Sequence, residues 1–121
     1  MSVHSLDEVD EAFVEHDDIL EMRERIVRAF LDFFILVKLS EEREPLGGYD
    51  LIKLIIVENG VKLSAGSVYA VLYSMERDGL IQAISLRKKR VYKLTDKGCS
   101  KLQAVSEEKE KLVYLFAGLF V

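Results

Sequence analysis

Residues 64–98 read SAGSVYAVLYSMERDGLIQAISLRKKRVYKLTDKG, and this stretch decides the fold. Ser64 is a residue type that caps helices, and the apolar residues after it recur at intervals of three and four. This pattern predicts a helix over about 65–77 that ends at Asp78-Gly79. The buried stripe of this helix is predicted to be Val68, Val71, Leu72 and Met75.

A β-hairpin is predicted to follow this helix. Residues 80–86 and 91–94 have the apolar alternation of strands, and 87–90, Arg-Lys-Lys-Arg, lie between them as a basic tip. Between residues 87 and 101 the chain holds seven basic residues and one acidic residue, a net charge of +6. Such a surface suits phosphate binding, whereas the alternative is a solvated turn that prevents edge-to-edge aggregation.

The chain before residue 64 is predicted to be mainly helical. Ser5 and Glu8 fit a capping box for a short acidic helix over 6–16. Asp17 and Asp18 can cap a longer helix over about 18–41, which is apolar almost all round and therefore buried or shared with a second subunit.

A turn and a further helix connect these two regions. Residues 44–48, Glu-Pro-Leu-Gly-Gly, are predicted to form the turn, and the helix runs from Tyr49 to about Asn59. Asn59-Gly60 is a helix stop signal, and 61–63 is predicted to be a very short strand.

The last residues predict a helix that begins at Thr95 or Asp96 and continues to about the end of the chain. Its apolar residues are spaced like a coiled-coil seam, which Lys109 interrupts. We expect a dimer surface here, because LVYLFAGLFV is too apolar to be exposed in a monomer. The predicted dimerisation residues are Leu102, Val105, Leu112, Phe116, Leu119, Phe120, Phe30 and Phe34. The alternative is that the last apolar side chains fold back on their own core.

This order of elements predicts a mainly α-helical protein with a small β-hairpin, arranged as a winged helix-turn-helix. The helix over 65–77 is then the candidate recognition helix. We expect an acidic N-terminal helical arm over 1–20, a winged-helix domain over 21–98 and a C-terminal dimerisation helix over 99–121.

The charge of the chain is divided between two halves. The formal net charge of the 121 residues is −4, which alone argues against nucleic-acid binding. Residues 1–50 hold 14 acidic and 5 basic residues, net −9, whereas residues 51–121 hold 12 basic and 7 acidic residues, net +5. We expect the acidic half to face away from a polyanion that the basic half binds.

The sequence lacks the residue patterns typical of enzymes, cofactor-binding proteins and metal sites. The sequence has no Ser/His/Asp set, phosphate-binding loop or dinucleotide fingerprint, so neither an enzyme nor a cofactor is expected. His4 and His16 are interpreted as solvated, with a metal site as the weaker alternative, and the single cysteine, Cys99, as a packing residue rather than a redox switch. No signal peptide or membrane span is predicted, so a cytoplasmic protein is expected.

Four motifs in order resemble those of the PadR-type winged-helix transcription regulators. They are Gly48-Tyr49, GSVYAVL at 66–72, DGLI at 78–81 and YKLTDKG at 92–98, and the resemblance covers about residues 30–105. The family often has proline where this chain has Ala70, and a single C-terminal helix resembles its short class. The resemblance implies a homodimer that binds double-stranded DNA and regulates transcription, and it leaves the small-molecule effector unknown.

The predicted DNA contacts lie mainly on the candidate recognition helix and the hairpin. Small residues permit close approach to the groove, and hydroxyls and cations can donate to phosphates. The predicted residues are Ser64, Ser67, Tyr69, Tyr73, Arg77, Arg87, Lys88, Lys89, Arg90, Lys93 and Tyr49. Because few long base-reading side chains are present, DNA shape is expected to contribute to recognition. Tyr69 has the alternative role of a packing tyrosine.

Three functions remain open at this point. The first is a sequence-selective regulator, in its simplest form a repressor that occludes promoter DNA. The second is a partition or architectural adaptor that spreads along DNA, which sparse base readers suit. The third is a winged-helix module for protein–protein interaction, whose acidic half binds a basic partner.

Overall fold

The computed structural model describes residues 16–120, which form six helices and one three-stranded sheet. The helices are α1 (Asp17–Ala29), α2 (Leu31–Glu41), α3 (Gly48–Asn59), α4 (Ala65–Arg77), α5 (Asp96–Glu107) and α6 (Lys109–Gly118). The strands are β1 (Leu46–Gly47), β2 (Ile81–Leu86) and β3 (Lys89–Leu94). The helix predicted over 6–16 lies outside the described residues, apart from its last position.

The core is built from α2, α3, α4 and the sheet. Its most deeply buried side chains include Ile35, Leu36, Leu51, Ile55, Val68, Leu72 and Ile81. Burying one such side chain contributes about 1.5–3 kcal/mol. Because all three helices and β2 contribute to one core, the outer face of α4 is held in a fixed orientation relative to the hairpin.

The first long helix is two helices rather than one, so the prediction over 18–41 is wrong in this respect. The break is at Phe30, whose backbone angles (φ −114°, ψ 25°) leave the helical region. Apolar residues continue across the break, and hydrophobic periodicity therefore gives no sign of it. The cap is His16 rather than Asp17 or Asp18, since the His16 Nδ1 accepts the backbone N–H of Asp18 at 3.2 Å.

The sheet contains one strand that the sequence did not predict. β1 pairs antiparallel with β3, with Leu46 opposite Tyr92, and β2 pairs with β3 on its other side. A two-residue strand has no periodicity to detect, so residues 44–48 were interpreted only as a turn. The strand predicted over 61–63 is not present: these residues have no regular structure, although Val61 is buried.

The turn between β2 and β3 is shorter than predicted. It consists of Arg87 and Lys88 alone, whose φ angles are 51° and 65°, whereas Lys89 and Arg90 belong to β3. Positive φ at both residues of a two-residue loop is characteristic of the turn that matches the twist of a hairpin.

The C-terminal helix is also interrupted, so the prediction of one continuous helix is wrong. Glu108 (φ −113°, ψ 19°) separates α5 from α6. Of the two predicted caps, Thr95 and Asp96, the structure has Thr95, because its Oγ1 accepts the backbone N–H of Gly98 at 3.1 Å. The side chains of Phe116, Leu119 and Phe120 are 41%, 70% and 63% exposed, so they do not fold back on the core. Within residues 16–120, no helix has both the length and the apolar character that a membrane crossing requires.

Candidate nucleic-acid interface

The start of α4 is capped by its own sequence. The Ser64 Oγ accepts the backbone N–H of Ser67 at 3.1 Å, and the two serine hydroxyls lie 2.7 Å apart. Of the predicted stripe, Val68, Leu72 and Met75 are buried, whereas Val71 is only partly buried. The outer face carries small and hydroxyl-bearing residues together with one long cation; these exposed residues are Ala65, Gly66, Ser67, Tyr69, Ala70, Tyr73 and Arg77.

Three exposed tyrosines lie on the two helices of the helix-turn-helix. Tyr49 and Tyr73 are 70% and 66% exposed, whereas Tyr69 is 39% exposed. The Tyr69 ring packs on Gly48: a methyl group there would lie 2.5 Å from Cε1 and 2.8 Å from Oη of Tyr69. Gly48 therefore lets α3 and α4 approach, and Tyr69 packs while it also presents part of its ring to solvent.

Gly98 has a similar role at the base of the hairpin. A methyl group on Gly98 would collide with the backbone oxygen of Leu80, so only glycine lets α5 pass this close to the entry of β2. The Lys97 Nζ donates to the backbone oxygen of Asp78 at 2.7 Å, and the Thr95 Oγ1 donates to that of Gly79 at 2.5 Å. These contacts fix the hairpin to the end of α4. The amino group of Lys97 is bound to the backbone of Asp78 and so has a structural role.

Five basic side chains of the hairpin are exposed. We refer to the four of them that have no acidic partner within residues 16–120 as the basic wing: Arg87, Lys88, Lys89 and Lys93. In the described part of the chain, none of the four has an ion pair with an acidic side chain. Because strand residues alternate between faces, Lys89 and Lys93 lie on the face of β3 opposite Arg90. Because its four side chains are exposed and have no acidic partner among the described residues, the basic wing presents its positive charge to solvent.

Arg90 differs from the basic wing. Its Nη2 lies 2.8 Å and 2.9 Å from the two carboxylate oxygens of Glu76 on α4, and its Nε donates to the Tyr92 hydroxyl at 3.3 Å. The hydrogen bond to Tyr92, followed by the Glu76 carboxylate, raises the pKa of Arg90 above its ordinary value. The sequence did not reveal Glu76 or Tyr92 as part of the site, because neither partner of Arg90 follows from the periodicity of a single element.

The predicted DNA-binding residues differ in whether their side chains have partners within the protein. Most lie on the outer face of α4 or on the basic wing, and the core that α4 and β2 share holds these two surfaces together. Arg77 donates to the Ser74 hydroxyl at 3.3 Å, and Arg90 is bound to Glu76.

The single cysteine differs from its interpretation as a packing residue. Cys99 is exposed on α5 rather than packed.

A separate apolar groove lies between α1 and α6. Its volume is about 570 Å³. The lining residues are Ile26, Phe30, Leu112, Val113, Leu115, Phe116, Ala117 and Leu119. The Phe120 ring packs edge to face on Phe116, with centroids 5.3 Å apart. The predicted dimerisation residues Leu102, Val105 and Phe34 are outside the groove and partly buried.

Residues 35–104 match the model of the transcriptional regulator PadR-like family, which is more than half of the chain. The chain belongs to this family. A PadR-like transcriptional regulator from Bacillus cereus is 24% identical and has a TM-score of 0.68, with 79% of this chain and 96% of that chain covered. The PadR-like family and the winged-helix fold are those of transcription regulators rather than enzymes.

Two further structures show the same fold. A winged-helix DNA-binding protein from STIV is 21% identical with a TM-score of 0.59, covering 69% of this chain and 92% of that one. TubR from Bacillus thuringiensis serovar israelensis, solved bound to 24 bp of tubC, is 20% identical with a TM-score of 0.55, covering 79% and 99%. No curated protein matches the sequence. This PadR-like chain therefore has a winged helix-turn-helix in which β2 and β3 form the wing.

Proposed function

We propose that this PadR-like protein is a homodimeric regulator of transcription that binds DNA sequence-selectively, in its simplest form a repressor that occludes promoter DNA. The observation that carries the proposal is the basic wing, four exposed cations on a hairpin whose first strand shares the core with α4. In this proposal residues 21–98 bind DNA and residues 99–121 dimerise, whereas the acidic arm over 1–20 faces away from the DNA.

The backbone of the wing tip supports a role for its charges. Arg87 and Lys88 occupy the left-handed region, where a residue other than glycine costs about 1–2 kcal/mol. Asn-Gly is the favoured pair in this kind of turn, so a purely structural turn has no need of two basic residues. Strain of this kind persists where function requires the side chains.

The outer face of α4 fits the major groove. Ala65, Gly66 and Ser67 at its first turn leave room for close approach, and the helix N-terminus directs backbone donors towards a phosphate. Tyr49 and Tyr73 extend hydroxyl groups beside this face. The wing then contacts the adjacent phosphates or the minor groove through Arg87, Lys88 and Lys89, while Lys93 contacts them from the base.

Dimerisation is supported by the groove between α1 and α6. An apolar surface of this kind is uncommon on a monomer, and a two-fold dimer presents two recognition helices to half-sites about 34 Å apart. Binding both half-sites at once raises the overall affinity without any new contact.

A salt titration tests DNA binding. With roughly 6–10 phosphate contacts per dimer, the affinity for genomic fragments should fall about 10³–10⁵-fold between 50 and 200 mM salt. The variant Arg87→Ala with Lys89→Ala should bind every fragment more weakly and should have a shallower dependence of affinity on salt, because it lacks two phosphate-binding cations per chain.

The control carries the same charge change elsewhere. Arg25→Ala with Arg43→Ala removes two exposed cations outside the wing and outside residues 99–121, and it should retain the wild-type affinity and salt dependence. Affinity that is insensitive to salt, or no binding to genomic fragments by the wild type, would contradict the proposal.

An adaptor that spreads along DNA is the second candidate, and one observation favours it. The α4 sequence contains no asparagine or glutamine, and Arg77 is its only long cation, so direct base readout is sparse. Footprinting separates the two candidates. A discrete palindromic footprint supports the regulator, whereas a footprint that lengthens with protein concentration supports the adaptor.

A further inference from the structure

Arg90 stands apart from the other cations of the hairpin because it is bound on two sides. One side is the Glu76 carboxylate on the last turn of α4, whose two oxygens lie 2.8 Å and 2.9 Å from the Arg90 Nη2. The other side is Tyr92, whose hydroxyl accepts from the Arg90 Nε at 3.3 Å and whose ring centroid lies 5.8 Å from the guanidinium carbon. The guanidinium is therefore held between the wing and the end of α4.

Tyr92 anchors this arrangement in the core. Tyr92 is 3% exposed and lies on the central strand, between Leu46 on one side and Ala83 on the other. A continuous chain of contacts runs from the core through Tyr92 to Arg90 and from there to Glu76. A surface ion pair alone contributes little, but one that is fixed on a buried aromatic residue and meets both carboxylate oxygens has a defined geometry.

We propose that Glu76 and Arg90 form a latch that holds the wing against the end of the recognition helix, and that Arg90 is a positioning residue rather than a phosphate ligand. This role of the latch rests on the proposed function, because positioning the wing matters only if the protein binds DNA. A helix in the major groove and a wing on the adjacent backbone must engage together, and an error of about 1 Å in their relative placement is costly.

The variant Glu76→Gln separates the two roles of Arg90. If Arg90 binds phosphate, removing the carboxylate releases a cation and deletes an acidic group, so DNA affinity should rise. If the latch positions the wing, the affinity should fall several-fold. Glu42→Gln is the control, because it removes the same charge from an exposed residue beyond the end of α2.

Hydrogen exchange on the DNA-free protein measures the latch directly. Amides of β2 and β3 should exchange faster in Glu76→Gln and in Arg90→Gln, while amides of α2 and α3 keep their wild-type rates. The charge swap Glu76→Arg with Arg90→Glu restores the pair with its signs reversed. It should recover most of the hairpin protection and of the DNA affinity that each single substitution removes.

The two proposals fail separately. Unchanged hairpin protection in both single variants would overturn the latch, and so would an affinity that rises in Glu76→Gln or that the charge swap does not restore. If the wild-type protein binds no DNA, the proposed function fails, while the exchange rates of the free protein still decide whether the latch holds the wing.

Discussion

At the scale of single residues, Arg87 and Lys88 hold an unfavourable backbone conformation at the tip of the hairpin. Both have positive φ angles in a two-residue turn, a position for which Asn-Gly is preferred. The sequence indicated a basic hairpin tip, but it could not indicate which two of the four basic residues form the turn. That assignment depends on the pairing of β2 with β3, which places Leu86 opposite Lys89.

Replacing the tip by the preferred turn should therefore stabilise the protein and weaken DNA binding. We expect Arg87→Asn with Lys88→Gly to raise the free energy of unfolding by about 1 kcal/mol, because the left-handed angles no longer oppose folding. The same variant should bind DNA more weakly and with a shallower salt dependence. Urea unfolding and a gel-shift titration measure the two effects.

The matched control for this experiment exchanges the two residues. Arg87→Lys with Lys88→Arg keeps both charges and both positive φ angles, so its stability and affinity should equal those of the wild type. A tip variant that is less stable than the wild type, or that binds DNA equally well, would contradict the interpretation.

At the scale of elements, α2 and α3 are joined by a buried lysine. Lys38 is 9% exposed, and its Nζ forms ion pairs with Glu58 on α3 and, at 3.0 Å, with Glu41 on its own helix. The hydrogen bond to Glu58 is the largest cause that raises the pKa of Lys38 above 10.5, and it outweighs desolvation. Because the folded pKa lies above the unfolded value, the contribution is fully present below pH 10.5 and disappears as the pH rises through the folded value.

The variant Glu58→Gln should reveal this dependence on pH. We expect it to lower the free energy of unfolding by about 0.5–1 kcal/mol at pH 8, since Glu58 is partly exposed. The difference from the wild type should shrink as the pH rises above 10.5 and should vanish once the pH passes the raised pKa of Lys38 in the folded wild type. Urea unfolding at a series of pH values from 8 to the alkaline limit of folding measures it, with the exposed Glu42→Gln as the control. A difference that persists at the alkaline limit would show that the charge of Lys38 is not its source.

Local signals account for the elements that the sequence predicted correctly. Ser64 before α4 and Gly60 after α3, with its φ of 62°, fix helix ends within the adjacent turn, and the four family motifs lie at such ends. The break at Phe30 was not predictable, because apolar spacing continues through it. At Glu108 the seam is already interrupted by Lys109, but a continuous helix also accommodates one lysine on its seam, so the sequence did not distinguish the two cases. Contacts between elements, such as Tyr69 on Gly48, depend on packing that no periodicity encodes.

At the scale of the whole molecule, the candidate DNA surface and the apolar groove share no residue. The first consists of side chains on α3, α4, β3 and the turn between β2 and β3, whereas the groove is lined by α1, Phe30 and α6. The net charge of −4 is divided differently, since it sums an acidic first half and a basic second half, and the groove takes residues from both halves. A substitution in the groove therefore leaves the side chains of the candidate DNA surface in place.

Leu115→Asp tests the role of the groove. Leu115 lines the groove and is exposed in the single chain, so a charge there should not harm the monomer but should prevent burial against a second copy. We expect the wild type to sediment as a dimer at micromolar concentration and Leu115→Asp to sediment as a monomer. The variant should also lose about 10²–10⁴-fold in affinity for a two-half-site operator, because each half-site is then bound alone.

The control lies on the same helix. Tyr114 is exposed and does not line the groove, so Tyr114→Asp introduces the same charge one residue away. It should sediment as a dimer and bind the operator as the wild type does. Equal sedimentation of Leu115→Asp and the wild type would exclude the groove as the dimer interface. A loss of dimers in Leu115→Asp with unchanged operator affinity would instead show that one winged helix suffices for binding, because the wing and α4 of a single chain would then supply every contact that matters.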